Sequence, residues 1–265
     1  MKKNNLIKLF SLEGKISIVT GASGHLGKSI TRALLIAGSQ VIALGRNEES
    51  LNQLLDINKD YSDKLKIYKC DVTNEKSFKK IVEEVILNFG TVDVLVNNAY
   101  GKQNEDFYSL TKELWYRALE SALTHYFTST RAVSKEFLKK KVGSVINVAS
   151  LYGFLGTDQR TYEPINSITP LHYSVAKGGV LQMTRYFSTL WANKGIRVNA
   201  VSPGVFPPKK GPDKPDYMHE LTSRVPMERI GQPKDLEGVM ILLASEASSY
   251  ITGQNIIVDG GWSVW

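Results

Sequence analysis

Seven short apolar runs rich in β-branched residues recur along the chain, and stretches with the length and spacing of helices separate them. The runs are Lys15–Thr20, Gln40–Leu44, Lys66–Cys70, Val92–Asn97, Ser144–Val148, Arg197–Ser202 and Asn255–Val258. The helical stretches are Leu26–Ala37, Glu48–Leu55, Asn74–Phe89, Lys112–Lys139, Tyr173–Asn193 and Lys234–Ala244. Strands alternating with helices are joined by crossovers, so they pair in parallel, and a parallel sheet needs helices over both faces. With right-handed crossovers the expected class is α/β: a doubly wound, mostly parallel seven-stranded sheet of the Rossmann type, in a three-layer sandwich. In such sheets ligands bind beyond the carboxyl ends of the strands. The 265 residues fit one domain of this kind, 1–265, with residues 1–11 as an N-terminal extension.

Composition removes several alternatives. The net charge is +7, but the tight basic groups, Lys139–Lys141 and Lys209-Lys210, carry no interleaved aromatics on which bases could stack. They read as solvated surface charge, and no nucleic-acid partner is expected. No apolar run reaches the ~18 to 20 residues of a membrane helix, and the start Met1–Asn5 lacks the apolar stretch of a secretory signal. A soluble, cytoplasmic protein with no membrane partner is the expectation. The single cysteine, Cys70, excludes an internal disulfide and a cysteine-rich metal site, and at the end of an apolar run it reads as a buried structural thiol.

The segment Thr20–Gly27 (TGASGHLG) directly follows the first run and opens the first helical stretch. Glycines let a backbone approach a pyrophosphate closely, and a helix N-terminus offers N–H groups to negative charge. A glycine-rich turn can also serve only a tight bend; its place between strand and helix favours the dinucleotide reading. After the second run, NAD-binding chains usually present an acid to the ribose 2′-hydroxyl. Here Val41–Asn47 ends in a glycine followed by Arg46. An acid repels a 2′-phosphate and a guanidinium grips one, so NADP(H) is favoured, with NAD(H) possible if Arg46 is only a surface charge. His25 either adds a donor to that phosphate or faces solvent.

Tyr173 and Lys177 stand four positions apart, slightly more than one helical turn, so phenol and ammonium can share a face. A free phenol, with a pKa near ~10, is a poor base at neutral pH. A cation about 4 Å away at an effective dielectric of ~20 is worth ~4 kcal/mol, enough to lower that pKa by ~3 units.

On these residues the chain resembles a short-chain dehydrogenase/reductase from Leu12 onward. The matching elements are the glycine turn, Asp71-Val72, Asn97-Asn98-Ala99, Ser150, Tyr173 with Lys177, Pro203-Gly204 and Asp259-Gly260-Gly261, in that order. The resemblance implies an NAD(P)(H)-dependent oxidoreductase that moves hydride between nicotinamide and a carbonyl or secondary alcohol. Ser150, Tyr173 and Lys177 would be catalytic: Tyr173 as general acid/base, Lys177 lowering its pKa and binding the nicotinamide ribose, Ser150 donating to the substrate oxygen. Gly21, Ser23, Gly24, His25, Leu26 and Gly27 would cradle the pyrophosphate side, with Arg46 at the adenosine ribose. Asp71 and Val72 would sit by the adenine, Asn98 and Ala99 by the ribose, and Pro203, Gly204 and Val205 by the nicotinamide. Asp71 is also readable as a turn residue or a helix cap. A homodimer or homotetramer built through the long helices is implied as well.

Several residues depart from the family pattern. The middle glycine of the turn falls one place early, at Gly24, with His25 in its stead. Tyr100 replaces the glycine after Asn-Asn-Ala and either lines the cleft or packs. Seven positions after Trp115, where the family has an asparagine holding a water in the proton path, stands Ala122. Ser121, Thr124 or His125 could supply that relay, water alone could suffice, or turnover is slow; His125 is equally readable as a packed residue. Pro207-Pro208 replaces the threonine often found after the Pro-Gly turn.

Two segments, 151–172 and 205–225, form the substrate-side loops. The 23 positions from Ser150 to Tyr173 exceed what the family commonly has, and Thr157–Thr169 is polar. This loop suits a polar, sugar-like or sugar-acid substrate, unless it is only a surface loop. Phe206–Met218 lies where the family has a lid, and Lys209, Lys210, Lys214 and Arg160 could meet a carboxylate or phosphate. Within the family the chain resembles gluconate 5-dehydrogenase-like and flagellin- or surface-glycan-modification oxidoreductases. Ala122 and Pro208 leave one alternative, a catalytically weak dinucleotide-binding protein acting as sensor or assembly partner.

Overall fold

The computed structural model describes residues 3–101, 105–165, 167–208 and 215–265. The chain runs α1 (Lys3–Phe10), β1 (Ile16–Thr20), α2 (Gly27–Ile36), β2 (Gln40–Gly45), α3 (Glu48–Ile57), β3 (Leu65–Lys69), α4 (Glu75–Phe89) and β4 (Val94–Asn97). It continues through α5 (Lys112–Leu119), α6 (His125–Lys140), β5 (Gly143–Val148), α7 (Leu171–Trp191), β6 (Ile196–Pro203), α8 (Pro215–Ser223), α9 (Glu237–Ala244) and β7 (Asn255–Val258). The strands pair in parallel throughout, in the order β3-β2-β1-β4-β5-β6-β7. All seven expected strands form.

Strand alternation builds the two core layers. Ile18, Ile42 and Leu44 point to one face, where Phe78, Val82 and Val85 of α4, Phe137 of α6 and Phe187 of α7 cover them. Val19, Val41 and Ala43 point to the other, against Ile30 and Leu34 of α2 and Met240 and Leu243 of α9. Strands buried on both faces must be apolar at successive positions, which is why the runs read as nearly continuous. Each such aliphatic side chain contributes about 1.5–3 kcal/mol by leaving water.

Helix starts follow local chemistry. Asn47, Asn74 and Thr111 accept from the amides of Ser50, Ser77 and Leu114 and so open α3, α4 and α5. Asn74, not Asp71, caps α4. Gly90 ends that helix with φ 80°, a conformation glycine adopts without penalty.

Three features differ from the expected pattern. The stretch Lys112–Lys139 is not one continuous α-helix: a π turn, Glu120–Thr124, separates α5 from α6. A contact from outside the helix accompanies it: the Ser121 carbonyl accepts the Gly101 amide, while Ser121 Oγ donates to the Ala118 carbonyl. The loop after Ser150 contains two 3-10 segments, Leu151–Gly153 and Gln159–Ile165. The N-terminal extension and the lid region each contain a helix, α1 and α8.

Glycine tolerance provides a contrast within one fold. A Cβ on Gly27 would lie 2.1 Å from the Gly21 carbonyl oxygen, whereas one on exposed Gly238 of α9 would meet nothing within 4 Å. Gly27→Ala is expected to destabilise by more than about 2 kcal/mol. Gly238→Ala is expected to stabilise by about 0.5–1 kcal/mol. Thermal melts of both variants check the pair.

Candidate active site

The strand order reverses at β1: the chain moves from β1 to β2 and β3, then returns to β1's other side as β4. The crevice at such a switch point is open by construction. Thr20, the last residue of β1, closes its floor. Its hydroxyl accepts the amides of Asn98 and Ala99 at 2.9 and 3.0 Å, and Asn98 Nδ2 donates to the carbonyls of Thr20 and Gly21 at 3.0 Å each. The Asn98 side chain therefore holds the glycine turn in place. Gly21, at φ 62°, fits beneath Ala99, where a Cβ would come within 2.8 Å of the Ala99 Cα.

Above this floor lies a cavity of about 510 Å³. It brings together Gly21, Ser23, Gly24, His25, Leu26, Arg46, Asp71, Val72, Asn98, Ala99, Ser150, Tyr173, Lys177, Pro203 and Gly204. Two expected contacts fall outside its wall. Gly27 is buried under the turn, and Val205 lines a smaller neighbouring cavity with Asp259 and Gly260. Gly204 is required by packing, since a Cβ there would lie 2.6 Å from the Asp259 Cα.

At the β2 and β3 end, Arg46 is exposed and borders the cavity. Burial works to raise the Asp71 carboxyl, but Thr73, which donates from its hydroxyl at 2.8 Å and its amide at 3.0 Å, and the Arg46 charge hold it below its usual range. Asp71 is thus both a turn residue and a cavity residue. His25 is exposed and also borders the cavity, where partial burial lowers its pKa against the opposing influence of the Phe206 backbone. Cys70 also borders the cavity, and burial pushes its thiol up to about 11.

At the opposite end, Ser150 follows β5 while Tyr173 and Lys177 come from the first two turns of α7. Lys177 is 3% exposed. Its Nζ donates to the Val148 carbonyl at 2.7 Å and to Tyr126 Oη at 3.0 Å, and Tyr126 Oη donates to the same carbonyl at 2.9 Å. The ammonium lies 5.9 Å from the centre of the Tyr173 ring and 5.8 Å from that of Tyr100. The Tyr100 and Tyr173 rings meet edge to face at 5.2 Å, which places Tyr100 in the cleft wall.

The electrostatics correct one expectation. Burial raises the Tyr173 phenol, with the Ser150 hydrogen bond acting against the rise, so the lowering expected from Lys177 does not prevail. Lys177 is turned toward Val148 and Tyr126, and burial pulls its own value down to about 7. Burial, followed by the Lys177 charge, takes His125 to about 4; it is a packed, neutral residue whose ring lies 4.5 Å from that of Tyr126. Ser121 bonds the carbonyls of Gly101 and Ala118, and Ala122 is fully buried. Tyr126, which no motif indicated, is the α6 side chain that reaches Lys177. Its one sequence signal is position, four residues beyond Ala122.

A model of the family described as enoyl-(acyl carrier protein) reductase, a short-chain dehydrogenase/reductase group, matches residues 21–263. The chain belongs to the short-chain dehydrogenase/reductase family. A 3-oxoacyl-(acyl-carrier-protein) reductase of Thermotoga maritima is 34% identical over 251 residues, covering 94% of this chain and 98% of the relative. A 2-dehydro-3-deoxy-D-gluconate 5-dehydrogenase of Pseudoalteromonas atlantica is 30% identical, covering 97% and 99%. The crystal structure of a gluconate 5-dehydrogenase from Burkholderia cenocepacia in complex with NADP and tartrate matches with a TM-score of 0.88 at 27% identity, covering 98% and 99%. The chain is therefore an oxidoreductase.

In this short-chain dehydrogenase/reductase the lengthened loop and the lid region meet. Tyr152 Oη and Tyr162 Oη are 2.8 Å apart, and the Tyr162 and Tyr217 rings lie 6.1 Å apart. Asp158 accepts from Arg160 at 2.7 Å and from Arg224, just beyond α8, at 2.6 Å. Arg160 is thus engaged within its own loop. Trp265 Nε1 donates to the Arg224 carbonyl at 3.1 Å. Lys209, Lys210 and Lys214 lie outside the described residues, and among the described residues no cluster suits a metal ion and no helix is long and apolar enough to cross a membrane.

Lys177 makes stability depend on pH in a defined sense. Its proton is held to 10.5 in the reference state but only to about 7 in the fold, so between these values falling pH favours the unfolded chain. The native protein loses that stability as pH falls through the window, and the loss levels off below it. Lys177→Met removes the effect. Thermal melts across this range should show the variant gaining on the native protein as pH falls, by up to about 4 kcal/mol near neutrality.

Proposed function

We propose that the chain is an NADP(H)-dependent oxidoreductase of a polar, sugar-like or sugar-acid carbonyl and its secondary alcohol, acting through Ser150, Tyr173 and Lys177. The observation that carries this reading is the convergence of these three side chains, the glycine turn and Arg46 on one cavity at the switch point. The cavity's volume lies within the ~300–1,000 Å³ usual for ligand pockets, and the glycines that shape it leave backbone where side chains would intrude.

The residues present fit a dinucleotide. Gly21 to Leu26 would face its pyrophosphate, Arg46 its 2′-phosphate, Asp71 and Val72 its adenine, Asn98 and Ala99 a ribose, and Pro203 and Gly204 its nicotinamide. When bound, the nicotinamide supplies or accepts the hydride. In reduction, the Tyr173 phenol gives its proton to the substrate oxygen, and the raised phenol pKa keeps that proton in place until it is needed. Ser150 donates to the same oxygen as charge develops there, and the Lys177 cation stabilises the tyrosinate left behind. Oxidation runs the same transfers in reverse.

The substrate preference is supported by the polar loop Thr157–Thr169 after Ser150 and by the relatives named for gluconate and its 2-dehydro-3-deoxy derivative. The relative named for an acyl-carrier substrate makes the acyl thioester the natural competitor. We read residues 1–265 as one domain, with 151–172 and 205–225 on the substrate side. A homodimer or homotetramer is supported by exposed Tyr116, Phe127, Tyr186 and Leu190 on α5, α6 and α7.

Two variants test the reading. Tyr173→Phe should lower turnover by about 10²–10⁴-fold while NADPH affinity stays unchanged, as followed by nicotinamide fluorescence. Arg46→Ala should weaken NADPH binding by about tenfold or more and leave NADH binding alone. NADPH consumption on a panel of keto-sugars and keto-acids, against a 3-oxoacyl thioester, decides the substrate class. Preference for the thioester, or tight binding without turnover on any member, overturns the proposal.

A further inference from the structure

Lys177 is the one buried lysine among the described residues, and its surroundings determine whether it can remain a cation. Two of its three protons point at oxygens, the Val148 carbonyl and Tyr126 Oη. The Tyr126 hydroxyl gives its own proton to that carbonyl, so its lone pairs are the ones left to face the ammonium. The three groups form a closed triangle linking β5, α6 and α7. Tyr126 is 1% exposed, and burial raises its phenol far above the ordinary range, so it remains a neutral, fixed dipole.

The backbone sets this arrangement. The π turn at Glu120–Thr124 precedes α6, and α6 opens with His125 and Tyr126, both buried. Position 122 offers only a methyl group, fully buried. The titratable groups facing Lys177 are Tyr126 and His125 from α6, Tyr173 from α7 and Tyr100 beyond β4, with Asp71 acting on His125 across the cavity. None of those directly against the ammonium is an acid, so hydrogen-bond acceptors must support the charge.

We propose that Tyr126 is the positioning residue for Lys177: its hydroxyl, together with the Val148 carbonyl, fixes the ammonium beside Tyr173 and sustains its charge, in place of any group at position 122. A carbonyl acceptor has no proton to pass on, so Tyr126 acts by holding rather than relaying. This inference rests on the Ser150–Tyr173–Lys177 reading.

Tyr126→Phe keeps the ring and removes only the hydroxyl. In the ligand-free protein, a carbon-13 NMR titration of the lysine Cε atoms gives the Lys177 midpoint, the resonance being assigned by its loss in Lys177→Met. The midpoint in Tyr126→Phe should fall by about one pH unit or more, because a hydrogen bond to the charged form has gone. The alkaline limb of the kcat profile should move by the same amount, about a tenfold loss on that limb, with KM nearly unchanged. A folded variant with the native midpoint and limb overturns the proposal. Should the variant not fold, the native protein labelled at tyrosine Cζ supplies the answer: the Tyr126 resonance must shift with the Lys177 midpoint, and a resonance that ignores it overturns the proposal. Turnover surviving in Tyr173→Phe or Lys177→Met would instead sink the catalytic reading. Loss in both, with an unmoved Lys177 midpoint in Tyr126→Phe, sinks the role of Tyr126 alone.

Discussion

The hydroxyl of Thr20 is the pin of this fold's working end. It receives two backbone amides from the segment after β4, and so joins the two strands between which the sheet changes direction. Parallel strands at a switch point diverge beyond their last hydrogen bonds, and here the divergence is held to a crevice of fixed width. The glycine turn, the Asp71 carboxylate and the tyrosine–lysine face all border that crevice. Their geometry comes from sheet topology together with one side-chain clasp.

Burial sets the chemistry inside. The interior raises phenols and lowers the lysine and histidine, so near neutrality Tyr126, Tyr173 and His125 are uncharged, and Lys177 sits at the balance point. A lone, half-committed cation is responsive: small changes in its hydrogen bonding shift its population strongly. That arrangement costs folding free energy, and the two apolar layers packed on the sheet carry the cost.

The fold was legible in the sequence because a parallel sheet writes its burial into the chain as continuous apolar runs. The glycine turn, Asp71 and Ser150 were legible because each follows a strand at its carboxyl end, and Tyr173 and Lys177 because they stand one helical turn apart. Tyr126 was not, because a buried tyrosine within a helix looks like packing; only the three-dimensional closeness of α6, α7 and β5 reveals its partner. The break at Glu120–Thr124 was hidden for a related reason. It is accompanied by a hydrogen bond between Gly101 and Ser121, two residues far apart in the chain, and no local periodicity records that. Arg160 misled for the opposite reason: its charge suggested a ligand, while Asp158, two positions away, already occupies it.

The sulfur of Cys70 borders the same cavity that would receive a dinucleotide, yet it is 2% exposed and its thiol is pushed to about 11. The thiolate, not the thiol, attacks electrophiles and peroxides. A sulfur kept protonated and covered gives oxidants nothing to seize, and the chain has no other cysteine. The cleft therefore carries no redox-active thiol of its own, so changes in thiol balance around the protein leave its machinery untouched.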